Sequence, residues 1–108
     1  MRPLDVKTES LARILGVASA ARRLRMSIDD AFIFMAIGHL GLSQSRSGYA
    51  VKPVSCADVA QLLGLPKETV RRKALRLVVL GLIAKNAKGL TIDKIDDWLD
   101  FVGAVTPE

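Results

Sequence analysis

Between residues 55 and 92 the junction Gly64-Leu65-Pro66 separates two amphipathic stretches, and a Gly-bounded apolar segment follows them. Glycine reaches the left-handed conformation that ends a helix, and proline suits the first position of the next, where its missing N–H costs nothing. Two helices must therefore meet at a tight turn, with Leu65 as its buried residue. Upstream, Ser55 and Asp58 form an N-cap close to a capping box, and Val59, Ala60, Leu62 and Leu63 supply an apolar face. Downstream, Val70, Ala74 and Leu77 recur at helical spacing. Glu68, Thr69, Arg72 and Arg76 take the opposite arc, with Arg71 at its flank. Leu82-Ile83-Ala84-Lys85 and Leu90-Thr91-Ile92 then read as short strands around Asn86-Ala87-Lys88-Gly89.

An arginine-rich face above a buried face of small apolar groups suits contact with duplex DNA. Guanidinium groups fork onto guanine acceptors or clamp phosphates, and a short Thr lets the helix approach closely. The run Leu63-Gly64-Leu65-Pro66-Lys67-Glu68-Thr69-Val70-Arg71-Arg72, closing with Leu80-Gly81-Leu82-Ile83, resembles the winged helix-turn-helix of bacterial transcriptional regulators such as the MarR and IclR groups. The resemblance covers about a third of the chain. It implies a mainly α fold with a small β wing: a helix-turn-helix over residues 55–81, a wing over 82–92, and extra N- and C-terminal helices. It further implies that Lys67, Glu68, Thr69, Arg71 and Arg72 enter the major groove while Arg76 meets phosphate. Lys85 and Lys88, near the wing tip, suit phosphate or the minor groove. There are two departures from the pattern. Lys73 stands where such helices place an aliphatic residue, and Val78-Val79-Leu80 replaces a polar stretch and needs a partner surface. An ordinary hairpin closing a small core is the alternative reading of 82–92.

The placement of charge agrees with the DNA reading. Residues 51–90 hold eight basic and two acidic side chains, whereas residues 91–108 hold one and five. A basic middle and an acidic end imply a polarised surface.

At 108 residues the chain is expected to form a single domain. Half of its residues are apolar and no segment approaches a membrane-spanning length, so a cytoplasmic protein without a membrane partner is expected. The single cysteine, Cys56, excludes an intramolecular disulfide and reads as a small helix-packing residue. His39, the only histidine, has no Cys, Asp or Glu at ligand spacing on its face and reads as a packed or helix-end residue. No catalytic pairing, phosphate-cradling loop or metal-ligand set is visible, so neither an enzyme nor a cofactor is expected.

Residues 8–25 read as an N-terminal helix with Leu11, Ile14 or Leu15, Ala18, Ala21 and Leu24 on one side. Arg22, Arg23 and Arg25 at its end are either charges complementing the helix dipole or a second phosphate contact. Residues 11–17 mimic 59–65, but a duplicated motif would bury Arg22 and has no proline at the turn, so one helix through Gly16 is expected. Ser27 and Asp30 cap a core helix over 27–42, apolar on nearly every side and hence buried all round. Residues 44–48 read as a polar turn, and Tyr49-Ala50-Val51-Lys52 as a strand to pair with the wing. Residues 93–103 form a last helix, capped by Thr91 or Asp93, with Ile95, Trp98, Leu99 and Val102 on one stripe. The terminal helices are expected to cover the apolar end of the basic helix, within one subunit or across a homodimer. A winged-helix module that binds protein instead of DNA is the alternative function, and an RNA binder ranks third because no aromatic stacking platform is visible.

Overall fold

The computed structural model describes residues 3–105, with side chains from 7 to 103. These residues form five helices and two antiparallel hairpins: α1 (Pro3–Arg23), α2 (Ile28–Gly41), β1 (Leu42–Ser45), β2 (Gly48–Val51), α3 (Cys56–Leu63), α4 (Lys67–Val79), β3 (Ile83–Asn86), β4 (Gly89–Ile92) and α5 (Ile95–Val105). The protein is mainly helical, with two small two-stranded sheets.

Three helices end by the same device. Past α1, the N–H of Met26 reaches the carbonyl of Ala21 at 2.8 Å and that of Arg25 reaches Arg22 at 3.0 Å. Past α3, Leu65 bonds Ala60 at 3.0 Å, and past α4, Leu82 bonds Leu77 at 3.1 Å. Each reversal needs a residue at positive φ. Gly64 (φ 70) and Gly81 (φ 77) provide it at α3 and α4, whereas α1 uses Arg25 at φ 62. The apolar residue that follows, Met26, Leu65 or Leu82, then turns into the protein, as this motif favours.

α2 is the hub and packs against α1, α3, α4, α5 and β4. Its start is a complete capping box: Ser27 Oγ accepts from the Asp30 N–H at 3.1 Å, and Asp30 Oδ2 accepts from the Ser27 N–H at 3.1 Å. Ile33, Phe34 and Ile37 are fully buried. Burial all round does not hold, however. Ile28, Phe32 and His39 are exposed and Met35 is half-buried, so one helical stripe of α2 stays uncovered.

α5 lies across α1 and α2. The Phe34 and Phe101 rings meet edge-to-face, with centroids 5.7 Å apart at 71°. Trp98 Nε1 donates to the Phe34 carbonyl at 3.1 Å. The expected stripe of Ile95, Trp98, Leu99 and Val102 is only half-buried, and the deepest residue of the helix is Phe101. The helix begins at Ile95, so neither Thr91 nor Asp93 directly precedes it.

α1 runs unbroken through Gly16, as expected, but starts at Pro3 and ends at Arg23. Ala20 and Ala21 are buried against the core, while Leu11, Ile14 and Leu15 are exposed. Among the described side chains of this helix, residues 7–15 are exposed and the buried ones are Ala20 and Ala21.

The strand expected at 49–52 to pair with the wing pairs instead with 42–45, in register Leu42↔Val51 to Ser45↔Gly48. The backbone link to β4 comes from Val54, which exchanges two 2.8 Å hydrogen bonds with Leu90. Pro53 supplies no N–H between them, and the ladder shifts onto the next residue with a free donor.

Candidate nucleic-acid interface

α3 and α4 are joined at Gly64-Leu65-Pro66, and Pro66 (φ −62) stands just before the first residue of α4 rather than within it. Ser55 Oγ accepts the Asp58 N–H at 3.0 Å and caps α3. Val70, Ala74 and Leu77 are the buried face of α4, as their spacing predicts. Lys67, Glu68, Arg71, Arg72 and Arg76 lie on the exposed face, and Thr69 is half-buried beside them.

The β3–β4 hairpin stands next to this face. Its register runs from Ile83↔Ile92 to Asn86↔Gly89, with Ala87 and Lys88 as the turn. Asn86 Oδ1 accepts the N–H groups of Lys88 (2.8 Å) and Gly89 (3.2 Å), so the side chain itself shapes the turn. Ile83, Leu90 and Ile92 are buried while Lys85 and Lys88 are exposed. Lys85 pairs with Leu90 and shares its face with Ile83 and Ile92, so the base of the hairpin is anchored while Lys85 and the turn residue Lys88 reach solvent toward the tip.

An open cleft of about 720 Å³ separates the hairpin from the start of α4. It brings together Lys67, Glu68, Arg71, Lys85 and Lys88, with Asn86 and the Ser55-Cys56 start of α3 also lining it. Thr69, Arg72 and Arg76 do not line it. Sequence reasoning missed Ser55, Cys56 and Asn86 as parts of this surface. Asn86 belongs to it as part of the hairpin tip, whereas Ser55 and Cys56 belong to it only because the first turn of α3 faces the hairpin, a tertiary relation without a local signal.

Among the described residues, three ion pairs organise cations of α4. Arg71 grips Glu68 through Nε, 2.9 Å from Oε2, and through Nη2 on Oε1. The hydrogen bonds from Arg71 hold the Glu68 carboxyl below its ordinary range, and the same bonds raise Arg71. Lys73, at the position where an aliphatic residue was expected, is 3.8 Å from Asp29. Its charge is thus matched at the α2–α4 contact. Arg76 Nε lies 3.0 Å from Oδ2 of Asp30, a carboxylate only 1% exposed. Arg76, expected on phosphate, therefore ties α4 to the first turn of α2. Its side chain nevertheless stays 62% exposed, so its terminal nitrogens remain at the surface. Asp30 Oδ1 is buried without a hydrogen-bond partner.

Within one subunit the apolar end of α4 is not covered by the terminal helices. Val79 is 86% exposed and Leu75 is also open. α1 and α5 pack on α2 instead, where Gly38 leaves room for Trp98 and Phe34 meets Phe101. A second apolar region is a groove of about 290 Å³ lined by Phe32, Met35, His39, Leu62, Trp98 and Val102 among others.

No family model, curated protein or solved structure matches this chain. Among the described residues no three His, Cys, Asp or Glu side chains gather where they could hold a metal ion, and no helix is long and apolar enough to cross a membrane.

Proposed function

We propose that this chain is a winged helix-turn-helix DNA-binding protein, a small cytoplasmic transcriptional regulator of the MarR or IclR kind, reading duplex DNA as a homodimer. In this reading α4 is the recognition helix and the β3–β4 hairpin is the wing. The observation that carries it is the cleft where Lys67, Lys85 and Lys88 converge around the Glu68–Arg71 pair, beside the exposed Arg72. Phosphate groups are the natural occupants of such a row of cations, and each cation placed on phosphate releases a counterion.

The reading is tested by fluorescence anisotropy with random duplex DNA at two salt concentrations. The wild type should bind with a steep salt dependence. Arg71→Ala/Arg72→Ala should weaken binding and flatten the log–log slope by up to roughly two. Absence of salt-sensitive binding by the wild type would sink the proposal.

A protein-binding module is the second reading, favoured by the open Leu75 and Val79 on the same helix. A monomer that ignores DNA yet keeps this patch exposed would support it. A dimer that binds DNA supports the first.

A further inference from the structure

Among the residues lining the cleft between α4 and the β3–β4 hairpin, Glu68 is the only acid. An unpaired carboxylate there would oppose every phosphate approaching Lys67, Lys85 and Lys88. Glu68 is not unpaired. Its two oxygens accept from Nε and Nη2 of Arg71, which occupies one edge of the guanidinium and no more. Arginine has five N–H donors in a planar fork, so the Nη1/Nη2 edge is left free and its orientation is set by the pair.

That arrangement changes what Arg71 can read. Attraction to phosphate depends on net charge, and the fork between Glu68 and Arg71 sums to zero. Recognition of guanine O6 and N7 depends on two aligned donors, and the free edge still offers them. We propose that Glu68 is a specificity-determining residue: by neutralising Arg71 and fixing its plane, it turns a phosphate clamp into a reader of guanine. The inference rests on the DNA-binding reading above. Both side chains are well exposed, so removing the pair leaves the fold intact.

The test uses the full chain and its Glu68→Gln variant. A preferred duplex is first selected by the wild type from a randomised library. Affinity for that duplex and for random duplex is then measured by anisotropy across a salt series, with a thermal melt of each protein as a folding control. Glu68→Gln should bind random duplex several-fold more tightly, with a log–log salt slope steeper by about one. The ratio of selected to random affinity should fall roughly tenfold, with the loss concentrated at one G·C pair. An unchanged slope and ratio overturn the inference while leaving the DNA reading in place. Weaker binding to both duplexes also overturns it, because Glu68 would then only support the helix. A wild type that binds neither duplex overturns the DNA reading itself, and this inference with it.

Discussion

A single missing methyl group decides how α5 meets α2. A Cβ built on Gly38 would lie 2.0 Å from Trp98 Cε2 and Nε1, so the indole occupies the space that any other residue would fill. The same indole donates to the Phe34 carbonyl, one turn earlier in α2. Glycine inside a helix costs about 1 kcal/mol relative to alanine, and here that cost is offset by close aromatic packing. Gly38→Ala should therefore lower stability by about 1–3 kcal/mol despite its better helix propensity, as read from urea denaturation. A neutral or stabilising outcome would show that Trp98 does not pack as described. Arg25 is the converse case, a bulky residue at φ 62 where α3 and α4 use glycine. The sequence announces neither position. Gly38 resembles any tolerated helical glycine, and the Arg22, Arg23 and Arg25 cluster reads as charge when one of its members also carries a turn.

At the scale of elements, the tie between α2 and α4 sets the angle at which the basic face is presented. Ser27, Asp30 and Arg76 form one chain: the capping box orders Asp30, and its Oδ2 receives Arg76 Nε. Removing Arg76 would leave a buried carboxylate with only backbone support, and burying a charge without a partner is costly. Arg76→Ala should cost about 1–3 kcal/mol by denaturant unfolding, more than an ordinary surface substitution. If the cost is instead a few tenths, Arg76 is free for other work and the α2–α4 tie is not structural. The capping box, the inner face of α4 and the Gly64 turn were all legible in the sequence, because each is set by residues three or four positions apart. The partner of Arg76 was not, since it lies 46 positions away and nothing local marks Asp30 as more than a cap. The β1–β2 hairpin was missed for a related reason. Its residues are nearly all exposed, so no buried alternation betrays β1 or the pairing, and only the turn at 44–48 and a strand at 49–52 could be read.

Across the whole molecule, apolar surface remains where one copy has nothing to put. Leu11, Ile14 and Leu15 stand open along the middle of α1, more than half exposed, on a helix anchored near its C-terminal end by Ala20 and Ala21. A homodimer through α1 would cover them, and under the proposed DNA-binding reading a two-fold dimer would present two copies of α4 to a two-fold DNA site. Ile14→Glu should then shift the protein from dimer to monomer in sedimentation equilibrium, without lowering the helical signal in circular dichroism. A wild type that sediments as a monomer removes the dimer from the proposal and leaves these residues as plain exposed apolar surface. The distribution of charge and the mainly helical architecture could be read directly from composition and periodicity. The direction in which the terminal helices fold could not, because α2 and α4 offer competing apolar faces and only packing volume chooses between them. The β1–β2 hairpin has a further consequence. Its base is held shut where the Lys52 N–H bonds the Gly41 carbonyl at 2.8 Å, and beyond Leu42 its residues are exposed. Loop length is cheap when the two ends are already pinned, about 0.6 kcal/mol for each doubling. The tip at Arg46 and Ser47 is thus a natural splice point: a reporter or a whole extra domain could be threaded in there, carried by the protein like a flag on a short mast.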